Sequence, residues 1–217
     1  MDIFIDSCDI NTIENLFSTG LVDGVTTNPT LVRKSGKDPE WLYEQLSEIG
    51  IPDISMEVSG SANEMYDEGV RLKKRFGSVT TIKLPMNKEG LAACTGLFEK
   101  GIRTNVTLIF TPAQAILAAK AGATYVSPFV GRVDDQGFAG LEVVRAIADV
   151  FTRHSATTQV LAASIRTVQR AVRSFYNGAQ IVTMPPAVFE GMYNHILTDK
   201  GLEIFEQDLR LIDQQSH

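Results

Sequence analysis

The sequence has few of the residues from which disulfide frameworks and metal centres are built. Its 217 residues include two cysteines, Cys8 and Cys94, and three histidines, His154, His195 and His217. Their number and spacing match neither a disulfide framework nor a zinc motif. Because no histidine is near either cysteine in the sequence, we expect both thiols to be small packing groups rather than nucleophiles. These absences predict a protein of a reducing compartment, with no metal and no other cofactor.

Long apolar runs and clusters of basic residues are also missing. No apolar stretch approaches the roughly 18 residues of a membrane span, and the opening segment MDIFIDSCD lacks the basic and hydrophobic parts of a targeting signal. The net charge is −6, from 20 basic and 26 acidic residues, and the basic residues are scattered. We therefore expect a cytoplasmic protein without a membrane or nucleic-acid partner, in which a few local arginines would hold any anionic ligand.

What the sequence does contain is a regular alternation of short β-type runs with longer helical stretches. No linker rich in Pro, Gly or Ser divides them, and a chain of this length with 44% hydrophobic residues suits one sizeable core. Residues Asp9, Asn87 and Thr111 stand where helix N-caps are expected. The predicted strands are 2–7, 24–28, 54–60, 80–85, 104–110, 124–130, 159–165 and 179–185. The predicted helices are 9–20, 39–50, 62–76, 87–100, 111–121, 139–154, 166–177, 186–197 and a final acidic helix near 199–213. Eight strand-then-helix units predict an α/β fold, a single (β/α)8 TIM barrel over residues 1–217 with an extra C-terminal helix.

Polar residues recur near the C-terminal ends of seven predicted strands, and their alternating neighbours are mostly apolar. Side chains two residues apart share one face of a strand, so the polar ones would point into the mouth of the barrel, where enzymes of this fold have their active sites. An open sheet with one wetted face is the alternative, and it fits poorly because βαβ connections cover both faces of a parallel sheet. The residues expected at the mouth are Asp6, Asn28, Glu57, Lys83, Asn105, Thr107, Ser127, Phe129, Ser164 and Arg166.

Lys83 is the most informative of these residues, because it interrupts the apolar run TTIKLPM. An amine on the floor of an apolar pocket loses the hydration that favours its charged form, and the free amine can attack a carbonyl carbon. This interpretation makes Lys83 a nucleophile that forms a Schiff base. The alternative is a strand-end lysine whose stem packs on apolar neighbours while its ammonium group reaches water.

Three further residues could support imine chemistry. Forming and hydrolysing an imine requires groups that move protons to and from a water molecule, and Glu57 and Thr107 on the neighbouring strands could hold that water. Cleaving a carbon–carbon bond near the imine also requires a base for a hydroxyl proton. Asp6 is the candidate for that base, and a capping carboxylate is the alternative.

A second group of residues indicates a phosphate site. Arg132 follows the run SPFVG, and Ser164 with Arg166 opens the seventh predicted helix, whose N-terminal amide groups favour an anion. Together they could clamp one phosphoryl group, in the region where such barrels commonly bind phosphate. The alternative is that Arg132 pairs with Asp134 or Asp135 and that Arg166 is a solvated helix residue.

The motifs that contain these residues resemble the transaldolase family, in particular its short-chain branch, which also contains fructose-6-phosphate aldolase. They follow one another from end to end of the chain as IFIDS, GVTTNPTL, IKLP, TNVTLIF, YVSPFVGRVDD and AASIR. The resemblance implies a transferase of the pentose phosphate pathway that moves a dihydroxyacetone unit between phosphorylated sugars. The donor would be fructose 6-phosphate or sedoheptulose 7-phosphate, and the acceptor erythrose 4-phosphate or glyceraldehyde 3-phosphate.

The resemblance also implies a role for each candidate residue. The Schiff-base lysine matches Lys83, and the general acid/base matches Asp6. The carboxylate and hydroxyl that hold the catalytic water match Glu57 and Thr107. The groups that hold the hydroxyls of the dihydroxyacetone unit match Asn28, Asn105 and Ser127. The phosphate ligands match Arg132, Ser164 and Arg166.

Three positions separate this chain from the aldolase branch, which typically has Gln, Ala and Tyr where this chain has Glu57, Ser127 and Phe129. A phenol beside the intermediate could supply the proton that releases free dihydroxyacetone, and Phe129 cannot. We therefore expect transfer to an acceptor, with fructose-6-phosphate aldolase activity as the alternative and a non-catalytic sugar-phosphate binding barrel as a more distant one.

The short-chain branch forms ring-shaped homo-oligomers, commonly decamers of two stacked pentamers, and the resemblance implies a homo-oligomer here. The segment IFEQDLRLI (204–212) has the apolar spacing for docking on a neighbouring subunit. The same spacing would also allow this helix to cover its own barrel.

Overall fold

The computed structural model describes residues 1–215, so that His217 lies outside the described residues. Eight parallel strands, hydrogen-bonded in chain order and closed by pairing of the first with the last, form a barrel that alternates with helices. The predicted (β/α)8 fold with an extra C-terminal helix is confirmed. The strands are β1 (Asp2–Asp6), β2 (Gly24–Thr26), β3 (Ile54–Glu57), β4 (Thr80–Pro85), β5 (Thr104–Ile109), β6 (Tyr125–Pro128), β7 (Gln159–Ala162) and β8 (Ile181–Met184). The helices are α1 (Ile10–Phe17), α2 (Pro29–Ser35), α3 (Pro39–Ile49), α4 (Ala62–Phe76), α5 (Lys88–Glu99), α6 (Pro112–Lys120), α7 (Val130–Asp135), α8 (Gly140–Arg153), α9 (Val168–Tyr176), α10 (Pro186–Gly191) and α11 (Ile196–Gln215).

Side-chain caps set the starts of the main helices. Asp9, Asn87 and Thr111 each accept a hydrogen bond from the backbone N–H three residues further on, and so begin α1, α5 and α6 as predicted. At the other end of α3, Gly50 has a φ of 94°, a left-handed conformation that ends the helix without a steric penalty. These local signals make the helix boundaries readable from the sequence.

Two short helices at the mouth of the barrel were not predicted. α2 begins after Asn28, whose side-chain oxygen accepts a hydrogen bond from the backbone N–H of Leu31, and Pro29 occupies its first turn. α7 follows β6 directly. Seven and six residues are too few for a helical period to show in the sequence. The predicted helix 186–197 is likewise divided, because α10 ends at Gly191 and α11 begins at Ile196.

The inside of the barrel is filled at its N-terminal end by large side chains. Phe4, Tyr125, Leu161 and Ile181 form a buried cluster there, with the Phe4 and Tyr125 rings edge to face at 6.3 Å between centroids. Gly24 makes room for this cluster, since a Cβ atom at that position would lie 2.6 Å from the Phe4 ring. The N-terminal end of the barrel is therefore a packed plug.

A second and larger core lies between the outer faces of the strands and the helices. It contains the apolar neighbours of the polar mouth residues, among them Ile5, Met56, Ile82, Val106 and Val126, each with no exposed surface. The expected alternation, apolar toward the helices and polar toward the barrel axis, is confirmed on these strands.

α11 extends away from this core. Its apolar side chains Leu202, Phe205 and Leu209 are 56%, 66% and 61% exposed. The idea that this helix covers its own barrel is therefore wrong. No helix within residues 1–215 is both long enough and apolar enough to cross a membrane.

Candidate active site

A cavity of about 320 Å³ opens at the C-terminal mouth of the barrel. Ten of the eleven residues that the sequence predicted for a site line this cavity, and Arg166 is the exception. The ten are Asp6, Asn28, Glu57, Lys83, Asn105, Thr107, Ser127, Phe129, Arg132 and Ser164. A cavity of this size can enclose a small polar ligand.

Strand register places Glu57, Lys83 and Asn105 side by side on β3, β4 and β5, where they are Cα partners across the sheet. Because these strands are parallel and in register, residues far apart in the chain point the same way into the cavity. The alternation in the sequence predicted that these three residues face the barrel interior. The strand register shows that they are also direct neighbours across the sheet.

Lys83 is 6% exposed, and its amine contacts polar groups. Its Nζ donates hydrogen bonds to Glu57 Oε2 at 2.9 Å and to the backbone oxygen of Thr27 at 2.7 Å. The expectation of an apolar pocket is therefore wrong for the amine, and so is the alternative of an ammonium group in open water. The ion pair holds the nitrogen at the cavity wall and provides an adjacent proton acceptor.

Thr107 carries a buried hydroxyl that has no hydrogen-bond partner among the residues that the structure describes. A buried hydroxyl is normally paired, and the side chain of Thr107 lines the cavity. No protein group within residues 1–215 occupies this hydroxyl, so a water molecule or a substrate atom that reaches it can bond to it without displacing a protein group.

Asp6 belongs to a hydrogen-bonded group that the sequence revealed only in part. Its Oδ1 accepts a hydrogen bond from Thr26 Oγ1 at 3.0 Å and a long one from Asn28 Nδ2 at 3.5 Å. The Thr26 hydroxyl is in turn 2.6 Å from that of Thr183. Burial raises the pKa of the Asp6 carboxyl, while the charge of Lys83 and the two hydrogen bonds oppose that rise. A raised pKa suits a group that takes up and returns a proton.

A second chain of hydrogen bonds fixes the opposite wall of the cavity. Ser127 Oγ donates to Asn105 Oδ1 at 2.6 Å, and Asn105 Nδ2 donates to Ser55 Oγ at 3.2 Å. The bonds use the Asn105 oxygen and one of its two amide protons, so the second proton stays available to a ligand. Ser127 has given up its only proton and can offer a ligand its oxygen lone pairs.

The cation at the rim of the cavity is Arg132, whose guanidinium carbon lies 4.8 Å from the centroid of the Phe129 ring. Phe129 also packs edge-on against Phe110, at 5.9 Å between ring centroids. The predicted alternative, in which Arg132 pairs with Asp134 or Asp135, is wrong. Stacking on the ring leaves the hydrogen-bonding edge of the guanidinium available to an anion.

Arg166 is placed differently from what the sequence suggested. It makes a two-pronged ion pair with Asp135, which lowers the pKa of that carboxyl. It does not open a helix either, because α9 begins at Val168 behind the cap Thr167, and Ser164 has a left-handed φ of 58°. Ser164 and Arg166 therefore lie in the loop between β7 and α9, and only Ser164 lines the cavity.

The sequence missed six residues that line the cavity: Thr26, Pro29, Thr30, Leu108, Ala163 and Thr183. Alternation could have found Thr26, which lies two residues before Asn28. It could not have found Leu108, because β5 and β6 lose their common register between Val106 and Ile109, and Leu108 has a left-handed φ of 62°. This irregularity turns a residue expected to face the helices into the cavity.

Neither cysteine contributes a reactive thiol to the site. Cys8 and Cys94 are free and buried, as expected for packing residues, and burial raises the pKa of Cys8 to about 11. The thiol of Cys8 is therefore protonated at neutral pH. Within residues 1–215, no three His, Cys, Asp or Glu side chains are grouped so that they could hold a metal ion.

Known proteins match this chain over nearly its whole length. The family model described as Transaldolase/Fructose-6-phosphate aldolase matches residues 3–216. A protein of Caulobacter vibrioides (strain NA1000 / CB15N) named "Probable transaldolase" is 47% identical over 209 residues, which is 96% of each chain. Proteins with the same name from Paracoccus denitrificans (strain Pd 1222) and Symbiobacterium thermophilum are 46% and 45% identical, again over 96% of each chain. The family that the motifs indicated is confirmed, and the chain belongs to the transaldolase/fructose-6-phosphate aldolase family of enzymes.

Proposed function

We propose that this chain is a transaldolase that transfers a dihydroxyacetone unit from a ketose phosphate to an aldose phosphate through a Schiff base on Lys83. Fructose 6-phosphate or sedoheptulose 7-phosphate is the donor, erythrose 4-phosphate or glyceraldehyde 3-phosphate is the acceptor, and the reaction belongs to the pentose phosphate pathway. The observation that carries the proposal is the buried amine of Lys83, bonded to Glu57 at 2.9 Å in the wall of the cavity. A binding protein would have no use for an amine held beside a carboxylate in this way.

Imine formation begins when Lys83 transfers a proton to Glu57 and attacks C2, the carbonyl carbon of the donor. The alkoxide that this attack leaves on C2 takes a proton from the attacking nitrogen and becomes a hydroxyl. That hydroxyl must then accept one more proton and depart as water. Glu57 returns that proton, and the unpaired hydroxyl of Thr107 holds the water molecule at the cavity wall. The same groups hydrolyse the imine when the reaction is complete.

Asp6 performs the cleavage step as the general base. Its carboxylate takes the proton from the hydroxyl on C4, the C3–C4 bond breaks, and the electron pair of that bond moves through C2 to the iminium nitrogen. The shortened aldose phosphate leaves, and an enamine remains on Lys83. Asn28, Asn105 and Ser127 bind the hydroxyls of the retained unit, and attack of the enamine on the acceptor aldehyde reverses these steps.

The phosphate group of each substrate binds at the rim of the cavity. Arg132 and Ser164 line the cavity and make the first contacts. Arg166 can join them only after it leaves Asp135. An exposed ion pair of this kind is weak, so a phosphate dianion can compete for the guanidinium.

Borohydride trapping tests the proposal directly. The protein is incubated with fructose 6-phosphate, reduced with borohydride, digested and examined by mass spectrometry, and we expect the adduct on Lys83. A Lys83→Met variant should show no adduct, and the exposed Lys88 provides the matched control as Lys88→Met. A missing adduct, or one on another lysine, would contradict the mechanism and favour a sugar-phosphate binding barrel.

The alternative enzyme is a fructose-6-phosphate aldolase, and Phe129 argues against it. The ring of Phe129 lines the cavity and carries no proton donor, so the enamine survives until an acceptor arrives. Fructose 6-phosphate should therefore react quickly only in the presence of erythrose 4-phosphate. Phe129→Tyr places a phenol in the same cavity and should increase the release of free dihydroxyacetone. Vigorous release by the unaltered protein without acceptor would overturn the choice of transferase.

α11 supports a homo-oligomer, for which a decamer of two pentamers is the specific proposal. The apolar side chains Leu202, Phe205 and Leu209 are exposed on this helix, and burying them against a second copy would remove that surface from water. Light scattering of the full chain should give about ten times the 23.8 kDa of one chain, and a monomeric mass would contradict it.

We also propose a cytoplasmic location. The two free thiols, Cys8 and Cys94, suit a reducing compartment. Cell fractionation tests this, and recovery in an oxidising compartment would contradict it.

A further inference from the structure

Thr183 was not predicted from the sequence, and the direction of its hydrogen bond with Thr26 follows from the neighbouring contacts. Thr26 has a single hydroxyl proton, and it donates that proton to Asp6 Oδ1 at 3.0 Å. A carboxylate can only accept, so the bond cannot run the other way while Asp6 is ionised. The 2.6 Å contact between Thr26 and Thr183 must then use the proton of Thr183. The chain of donation runs from Thr183 to Thr26 to Asp6.

The same contacts distinguish the two oxygens of Asp6. Both donors, Thr26 and Asn28, bond to Oδ1, and no described residue donates to Oδ2. The proton that Asp6 gains during the reaction therefore belongs on Oδ2, and the threonine chain keeps its direction in both protonation states. Thr26 and Thr183 are 4% and 3% exposed, so water competes little for these bonds.

We propose that Thr183 is a positioning residue of this site: by donating to Thr26 it orients the hydroxyl that anchors Oδ1 of Asp6, and so presents Oδ2 to the substrate. This inference rests on the proposed function, in which Asp6 is the general base. A hydrogen-bond donor strengthens the bond that its acceptor donates onward, by about 10–30% per bond. Thr183 therefore also stabilises the ionised form of Asp6, through the two successive hydrogen bonds that connect them.

Two titratable groups act on Asp6: Lys83 on β4 favours its ionised form, while Glu57 on β3 opposes it. Besides burial, the charge of Asp6 in turn raises the pKa of the Cys8 thiol, which follows β1 in the chain. Thr183 and Thr26 carry no charge at any accessible pH. Replacing either one changes hydrogen bonding to Asp6 without adding or removing a charge.

The test is the acid limb of kcat/KM against pH, which reports the base of the free enzyme. Thr26→Val removes the bond to Asp6 and should move the limb upward by about one pH unit or more. Thr183→Val removes only the supporting bond and should move it upward by about half a unit, with KM nearly unchanged. Thr183→Ser keeps the hydroxyl and should restore the limb of the unaltered protein.

Two further variants make the result decisive. Thr80→Val is the matched control, because Thr80 is fully buried on β4 and its hydroxyl has no partner among the described residues. Its limb should not move. Thr183→Ala should repeat the shift of Thr183→Val, and it replaces that variant if valine impairs folding.

The inference is supported if the upward shift of the acid limb is largest for Thr26→Val, smaller for Thr183→Val and absent for Thr183→Ser. It is overturned if Thr183→Val leaves the limb in place, if Thr183→Ser behaves like Thr183→Val, or if KM rises while the limb stays, since Thr183 would then be a substrate ligand. A Thr26→Val limb that does not move also overturns it, because the limb would not report Asp6. Borohydride trapping and acceptor-dependent transfer by the unaltered protein test the proposed function separately, so failure of one remains distinguishable from failure of the other.

Discussion

The two ends of the barrel interior use the same strands for opposite purposes. Along four strands, a residue that faces the barrel interior and the residue two positions later are Phe4 and Asp6, Tyr125 and Ser127, Leu161 and Ala163, and Ile181 and Thr183, with Ala163 just past the end of β7. The first of each pair is large and belongs to the packed plug, while the second is polar or small and lines the cavity; Ala163 also packs in the plug. Two residues further along each of these strands, the interior changes from packed core to the lining of the active-site cavity. The plug provides a rigid floor for groups that must hold their geometry.

The polar mouth is also the end at which buried groups work against stability. Asp6 and Lys83 are ionisable groups with little access to water, and the hydroxyl of Thr107 has no partner among the described residues. Such groups cost folding free energy unless they are fully paired. We therefore expect substitutions at the mouth to change activity more than stability, and substitutions in the plug to do the reverse.

Lys83→Met should give the largest effect. Without the amine no Schiff base forms, and kcat should fall on the order of 10⁴-fold or more, as in enzymes that lose their nucleophile. The free energy of unfolding should be unchanged or higher, because a buried ion pair contributes little net stability and Glu57 is open enough to be rehydrated. Steady-state kinetics and denaturant unfolding measure the two quantities. A strongly destabilised variant would contradict the division between mouth and plug.

Asp6→Asn should lower kcat by about 10²- to 10⁴-fold, the usual contribution of a general base. Burial raises the pKa of Asp6 above 3.8, so the unaltered protein should lose activity as the pH falls through that raised value. Stability depends on pH in the opposite direction from activity. The raised pKa of Asp6 favours the protonated carboxyl in the folded state, so Asp6 contributes to stability at low pH, and this contribution is lost as the pH rises through the raised pKa. Asp6→Asn should therefore gain stability over the unaltered protein as pH increases. Equal Tm differences at all pH values would contradict the burial of an ionised carboxylate.

Leu161→Ala tests whether a substitution in the plug changes stability more than activity. Leu161 has no exposed surface and lies in the apolar cluster below the cavity. Its truncation should lower the free energy of unfolding by about 2–5 kcal/mol, while kcat of the folded protein stays unchanged. Denaturant unfolding and kinetics at a temperature well below Tm make the check. A large loss of kcat without a loss of stability would show that the plug takes part in the chemistry.

Tyr125→Phe should give a smaller loss. The Tyr125 hydroxyl donates to Asp53 Oδ2 at 2.8 Å, and Arg103 holds the same oxygen at 2.8 Å. Removing the hydroxyl weakens the support of a buried carboxylate and should cost about 1–3 kcal/mol. Burial raises the pKa of Asp53, so the cost should be greatest above that pKa, where the carboxylate is ionised, and should shrink as the pH falls. If the loss of unfolding free energy is the same at every pH, it comes from packing alone and not from the bond to the Asp53 carboxylate.

Much of the site could be predicted because strand residues obey a period of two. The alternation in TTIKLP and TNVTLI is enough to assign Lys83, Asn105 and Thr107 to one face of the sheet. The prediction failed at Leu108, where the backbone leaves that period and has a left-handed φ. Ser164, which also has a left-handed φ, lines the cavity as predicted, but it lies in a loop rather than at the start of a helix. Arg166 was misplaced for the same reason, since the loop that contains it could not be told from the start of a helix.

The sequence by itself determined the number and order of the strands, the family, and most of the polar residues that share the mouth of the barrel. Each of these depends on local periodicity, caps and motifs, which act over a few residues. Only the tertiary structure decided which groups touch: Lys83 with Glu57 rather than an apolar pocket, Arg166 with Asp135, and Thr183 with Thr26 across 157 positions of chain. Such contacts depend on strand register and barrel closure, which are set by the packing of the whole chain.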